Sequence, residues 1–268
     1  MKPHLIVLDL DGTLLTDEKV ISPTTKETIL QAKSVGHQVM IATGRPFRAS
    51  KHIYEELGLH TPIVNFNGAY IHQPHHTQFK TQHNPIQLHT ATDIVESLHE
   101  YRLANVIAEV MDDVYVEQQD DPLLAILGMG NPRMTYGKIK EHLKDDPTSL
   151  LLHASDQEVA IIREFLEHTK AEVIDHRRWG DPYHVIEIVR SGIHKAIGLG
   201  IVSKHLQIPK ERIIAFGDED NDLEMLEYAG LGVAMGNAIG DVKNIANEIT
   251  DSNNEDGIAR ILRERLKL

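Results

Sequence analysis

The sequence predicts an α/β protein in which a Rossmann-like parallel-sheet core is interrupted by an inserted α+β unit. Three observations carry this expectation. Short apolar runs at His4–Leu8, Val39–Ala42 and Arg212–Phe216 end abruptly in polar residues, as strands buried on both faces of a parallel sheet do. Helical stretches, Ser22–Gly36 and Lys195 to about Leu206, alternate with these runs in a βαβ grammar. Between Pro85 and Glu187 that grammar lapses, and hairpins mix with short helices. The expected core is therefore residues 1–84 and 188–268, with 85–187 inserted between them.

The first run delivers Asp9 and Asp11, then Gly12 and Thr13 in a tight turn whose backbone N–H groups could face an anion. Ligands of open α/β sheets bind outside the carboxyl ends of the strands, where these acids stand. Carboxylates one residue apart repel unless a cation or a proton sits between them. An EF-hand loop is excluded: counted from Asp9, the position for Gly holds Leu14 and that for the closing Glu holds Val20. Ser22 is the expected N-cap of the next helix, Pro23 its first residue and Gly36 its stop.

The second strand runs into Thr43-Gly44-Arg45-Pro46, where a hydroxyl and a backbone N–H could hold one phosphate oxygen. A helix over Phe47–Leu57 and a strand over Ile63–Asn65 follow. Asn67-Gly68 then predicts a type I′ hairpin turn into an antiparallel strand, Ala69–Ile71. The His-rich stretch 72–83, holding His72, His75, His76 and His83, reads as a polar loop or edge strand rather than a metal site.

Within the insertion, Val106-Ile107-Ala108 and Val114-Tyr115-Val116 flank Asp112-Asp113 as a hairpin, and His184–Val189 reads as the last strand. Gly128-Met129-Gly130 begins like a dinucleotide fingerprint, but Arg133 replaces its third Gly and no parallel strand precedes it. His176-Arg177-Arg178-Trp179 puts two guanidinium groups beside the only Trp. That is either a surface able to stack a ring and pair an anion, or a loop with Trp as packing anchor. Lys195 opens a helix, and the strand Arg212–Phe216 ends in Gly217-Asp218-Glu219-Asp220-Asn221-Asp222, an acid-rich run that needs a cation or open water.

Asp9-Leu10-Asp11-Gly12-Thr13, Ala42-Thr43-Gly44-Arg45-Pro46, Lys195 and the run from Gly217 to Asp222 resemble, in order, the four motifs of the haloacid dehalogenase-like hydrolases. Asn67-Gly68-Ala69, the stretch from Gly232 to Ala238, and Asn254-Glu255-Asp256-Gly257-Ile258 are similar to its Cof-type branch, whose inserted unit is a cap of subclass IIB. The resemblance implies a phosphatase with Mg2+ as cofactor and a small phosphorylated metabolite as substrate. It implies Asp9 as nucleophile and Asp11 as general acid and base. Mg2+ would be held by the Asp9 carboxylate, the Asp11 backbone carbonyl and Asp218. Leu10, Gly12, Thr43, Gly44, Lys195 and Asn221 would bind phosphate, with Asp222 acting behind them on a water or on Lys195.

Arg45, Asn67, Arg177, Arg178 and Trp179 are the candidates for contact with the rest of the substrate. Overall similarity leans toward the Bacillus-type phosphatases of the riboflavin-pathway intermediate, 5-amino-6-(5-phospho-D-ribitylamino)uracil. FMN, pyridoxal phosphate and sugar phosphates stay open. The rival readings are a phosphomutase of the same superfamily and a non-catalytic sensor of a phosphorylated metabolite. The sensor is disfavoured because Asp9, Asp11, Thr43, Lys195 and Asp218 are all present.

A net charge of −13 argues against nucleic acid or an anionic membrane as the main partner. It does not exclude a phosphate ester, because a bound divalent cation reverses the local field. The absence of cysteine excludes disulfides and thiolate chemistry. No apolar run approaches the ~20 residues of a membrane span, and no signal-peptide pattern opens the sequence, so the expected location is cytoplasmic.

Overall fold

The structure, a computed structural model, describes residues 2–75, 79–170, 174–178 and 184–268. The chain opens with β1 (Leu5–Leu8), α1 (Pro23–Ser34), β2 (Gln38–Ile41), α2 (Phe47–Glu56), β3 (Ile63–Asn65), β4 (Tyr70–His72) and β5 (Gln82–His83). There follow α3 (Leu88–Ser97), β6 (Leu103–Val110), β7 (Asp113–Val116), α4 (Asp121–Leu127), β8 (Met134–Tyr136) and α5 (Ile139–His142). β9 (Ser149–Ala154), α6 (Asp156–Lys170), β10 (Ile174–Arg178), β11 (Val185–Arg190), α7 (Lys195–His205) and β12 (Ile213–Gly217) come next. The chain closes with α8 (Leu223–Tyr228), β13 (Leu231–Ala234), α9 (Gly240–Ile245), β14 (Glu248–Ile249) and α10 (Gly257–Leu266).

These elements form two compact units. The first comprises Met1–Gly44, His52–Gln82 and His194–Leu268; the second comprises Arg45–Lys51 and His83–Ile193. The first is built on a parallel sheet in the order β14-β13-β12-β1-β2, the α/β core the sequence predicts. β1 lies between β12 and β2, with Leu5 opposite both Ile213 and Gln38. That position explains its composition, since Leu5, Ile6, Val7 and Leu8 are all fully buried. Ser22 caps α1 as expected, its hydroxyl accepting from the Thr25 N–H at 3.1 Å.

The turn at Asn67-Gly68 departs from the type I′ expectation. β3 and β4 do pair antiparallel, but Asn65 lies opposite Tyr70, so four residues make the connection. Phe66, Asn67 and Gly68 all take positive φ. The cause is tertiary: the Asn67 N–H donates to the Thr43 carbonyl at 3.1 Å, drawing the loop toward β2. Gly68 is obligatory there, because a Cβ would stand 2.6 Å from the His194 carbonyl oxygen.

The second unit holds a six-stranded sheet in the order β10-β11-β9-β6-β7-β8, antiparallel except where β7 meets β8. Strand alternation sorts its core. Val106, Leu150, Leu152 and Ile186 pack with Ile94 of α3 and Ile162 of α6, whereas Ile107, Leu151 and Val185 pack with Leu123 and Leu127 of α4. Arg48 explains why residues 45–51 group here: its buried guanidinium pairs with Glu109 of β6, and its N–H donates to Asp112 at 2.9 Å. β11 pairs with β10 as far as Arg190, which keeps residues 188–190 in this unit. Among the described residues no helix is long and apolar enough to cross a membrane.

Candidate active site

Adjacent parallel strands place their carboxyl ends side by side, and here those ends carry acids. Leu8 pairs with Phe216, and the Asp9 N–H donates to the Phe216 carbonyl at 3.3 Å, so Asp9 after β1 lies beside Asp218 after β12. Lys195, the first residue of α7, is completely buried. Its Nζ donates to Asp9 Oδ1 at 2.7 Å and to Asp222 Oδ1 at 2.8 Å. Asp222 Oδ2 accepts the backbone N–H groups of Asp218 at 3.0 Å and Glu219 at 3.2 Å, so each of its oxygens is engaged. The Thr13 hydroxyl donates to Asp218 Oδ1. Gly12 has φ +73°, and a Cβ on it would lie 2.1 Å from Asp218 Oδ2; only glycine lets these loops approach so closely.

A second group gathers beyond β2. Thr43 is buried, and the missing Cβ of Gly44 leaves room beside the Asn67 amide, 3.3 Å from where that atom would stand. Asn67 Oδ1 accepts from Asn221 Nδ2 at 3.0 Å, while Asn221 Oδ1 is buried without a protein partner. A hydroxyl, backbone amides and two side-chain amides thus converge near the acids, as binding a polar ligand requires.

The charge balance of the cluster is negative. Burial pushes the Asp9 carboxyl well above its ordinary range; Lys195 opposes this, and Asp222 and Asp218 add to it. Burial also drives Asp218 up to about 7, against the Thr13 hydrogen bond and with the help of Asp222. Burial lowers the Lys195 pKa, but Asp222 and Asp9 more than reverse that and hold its proton more tightly than in water. One ammonium therefore faces three buried carboxylates, Asp9, Asp218 and Asp222, whose oxygens lie within 4.8 Å of one another.

Such a hard, all-oxygen set fits a divalent cation of the Mg2+ kind. The glycine at position 12 fits this arrangement, because only with glycine there can the Asp218 carboxylate come so close to the loop that carries Asp9.

Comparison with known proteins decides what this arrangement belongs to. A family model described as haloacid dehalogenase-like hydrolase matches residues 6–262. The chain belongs to that family. The hydrolase is 51% identical to the Bacillus subtilis 5-amino-6-(5-phospho-D-ribitylamino)uracil phosphatase YitU, over 100% of this chain and 99% of that one. It is 30% identical to the Escherichia coli pyridoxal phosphate phosphatase YbhA, over 99% and 100% of the two chains. A crystal structure of a haloacid dehalogenase-like hydrolase from Bacteroides thetaiotaomicron superposes with a TM-score of 0.83 at 27% identity, covering 99% of this chain and 100% of that one.

The hydrolase brings Asp9, Leu10, Gly12, Thr43, Gly44, Asn67, Lys195, Asp218, Asn221 and Asp222 together in its first unit. Two expected site residues are arranged differently. The Asp11 carboxylate lies outside the buried trio and pairs with Lys19 Nζ at 2.9 Å, in an exposed ion pair. The expected metal contact of Asp11 is its backbone carbonyl, and the third carboxylate of the trio is that of Asp222. Arg45 groups with the second unit, where its guanidinium donates to the Ala49 carbonyl at 3.3 Å.

Arg177 and Arg178 belong to β10, and their side chains lie outside the described residues. Trp179 and His76 lie outside the described residues. In the His-rich stretch, His72 stacks on Tyr70 with ring centroids 4.5 Å apart, and His83 bonds the Thr148 hydroxyl at 2.9 Å. The role of the Thr13 hydroxyl was not read from the sequence; its partner Asp218 is 205 positions away, so no local pattern reports the contact.

Proposed function

We propose that this hydrolase is a Mg2+-dependent phosphatase that acts on small phosphorylated metabolites through an aspartyl-phosphate on Asp9, and that its substrate is 5-amino-6-(5-phospho-D-ribitylamino)uracil. The observation that carries the chemistry is Asp9 itself: buried, at a strand's carboxyl end, and ion-paired with Lys195 at 2.7 Å. The substrate rests on the 51% identity to YitU over the whole chain.

Phosphoryl transfer needs little covalent work from a protein beyond positioning and charge neutralisation. An Asp9 oxygen forms a bond to phosphorus as the ester P–O bond breaks, and Asp11 gives its proton to the departing alkoxide. In the second half, water attacks the same phosphorus, Asp11 takes the water's proton, and the P–O bond to Asp9 breaks to return the carboxylate. The Asp11 carboxylate pairs with Lys19 at 2.9 Å on the exposed side of this loop, so its part as acid and base requires it to exchange that contact for the leaving group.

Lys195, Thr43, Gly44 and Asn221 orient the phosphoryl oxygens. Asp9, Asp218 and the Asp11 backbone carbonyl would hold Mg2+. Asp222 serves instead to fix Lys195 and the loop after β12, because both its oxygens already accept hydrogen bonds. When bound, Mg2+ supplies positive charge against the phosphoryl group.

The test is release of inorganic phosphate, with Mg2+, from the ribitylaminouracil phosphate, FMN, pyridoxal phosphate and sugar phosphates. The ribitylaminouracil ester is expected to give the highest kcat/KM. A better substrate among the others would overturn the assignment. Transfer of phosphate between positions of one substrate without its release would replace the phosphatase by a phosphomutase.

A further inference from the structure

We propose that Asn237 and Asn253, which stand outside the four motifs, are positioning residues that clamp the loop carrying Asp9, Asp11 and Thr13. The inference rests on the reading of Asp9 as nucleophile. Asn237, in the turn after β13, donates its side-chain N–H to the Gly12 carbonyl at 2.8 Å. Its Oδ1 accepts the Asn253 N–H at 3.0 Å. The Asn253 side chain in turn donates to the Leu15 carbonyl at 3.0 Å and to Asp17 Oδ1 at 3.1 Å. Two asparagines in series therefore grip the loop at Gly12, Leu15 and Asp17.

The point of grip is what makes this more than a loop staple. Gly12 has the widest backbone freedom of any residue type, and it stands between Asp11 and Thr13. Thr13 already ties the loop to Asp218, so the loop is held to Asp218 at one residue and to Asn237 at the preceding one. The orientation of the Gly12 peptide then determines where the Asp11 carbonyl and the Thr13 hydroxyl point.

Asn237 is exposed, so water can replace its hydrogen bond when it is removed, and stability changes little. Water does not restore the fixed geometry. A displacement of about 1 Å of the attacking group can cost on the order of a hundredfold in rate.

The experiment compares wild type, Asn237→Asp, Asn237→Ala and Asn253→Ala on p-nitrophenyl phosphate with Mg2+, recording kcat, KM, the single-turnover rate of Asp9 phosphorylation and the melting temperature. Asn237→Asp keeps the acceptor for the Asn253 N–H but sets a carboxylate against the Gly12 carbonyl. The expected result is a fall in kcat and in the phosphorylation rate of about tenfold to a hundredfold, with KM and the melting temperature of the Asn237 variants unchanged. Because Asn253 is buried, its variant can lose stability, and the exposed Asn237 pair decides the matter. A kcat within about twofold of wild type, or one that falls only in step with the melting temperature, overturns the proposal. A wild type that releases no phosphate refutes the phosphatase reading itself, and the clamp with it.

Discussion

Replacing Lys195 by methionine removes one positive charge and almost no volume. The side chain is fully buried, and its Nζ lies 2.7 Å from Asp9 and 2.8 Å from Asp222. Removing one partner of a buried ion pair costs about 3–5 kcal/mol, because the other charge is left uncompensated. At about 2–4 °C per kcal/mol for chains approaching this size, the metal-free variant should melt roughly 6–20 °C below wild type at pH 8.

The pH dependence distinguishes a charge effect from a packing effect. Asp9 and Asp218 already have native pKa values raised by burial, and Lys195 holds both down, so without the ammonium the native state binds still more protons than the unfolded chain across that interval. Stability then falls as pH rises through it, and the deficit is largest above the raised values. At pH 5, below the raised value of Asp218, protons taken up from solvent remove negative charge that the missing ammonium would have balanced, and most of the deficit should disappear. Melting curves of both proteins in chelated buffer at pH 5 and pH 8 provide the assay. An equal deficit at the two pH values would refute the reasoning and make Lys195 a packing residue.

Three further outcomes are expected. Chelation with EDTA should abolish phosphate release and Mg2+ should restore it; full turnover in chelated buffer would count against the metal. Asp9→Asn should form no aspartyl-phosphate, whereas Asp11→Asn should slow poor leaving groups most, both read by trapping of the intermediate and steady-state rates. Mg2+ affinity should fall as pH drops through about 7, because Asp218 must lose its proton to bind the ion. Below that value the loss approaches tenfold per pH unit, measurable by titration calorimetry, and an affinity flat from pH 8 to pH 6 would exclude Asp218 as ligand.

What could be read from the sequence was what local chemistry determines. Buried strands announce themselves because both faces must be apolar, and Asp9, Lys195, Asp218 and Asp222 follow breaks in that pattern. The Ser22 cap needed only its own neighbours. Features set by distant partners were not legible. The loop at Asn67 is shaped by Thr43 and Asn221 rather than by the turn preference of Asn-Gly. The Asp11 carboxylate turns to Lys19, which the spacing of the acids could not foretell.

The place of β1 in its sheet bears on how the protein is made. The strand leaves the ribosome before the rest of its sheet, and one of its two neighbours, β12, is synthesised some two hundred residues later. The second unit lies almost entirely within the intervening stretch, so its sheet can pair while β1 still has an unmatched edge. Long-range pairing of this kind is slow, and an unpaired apolar strand is a site for aggregation. Lys195 and Asp218 reach Asp9 and Thr13 across sequence separations of 186 and 205 residues, so the acidic cluster can assemble only after β12 and the residues that follow it have been made. A nascent fragment lacking β12 would therefore have a largely formed second unit and no acidic cluster.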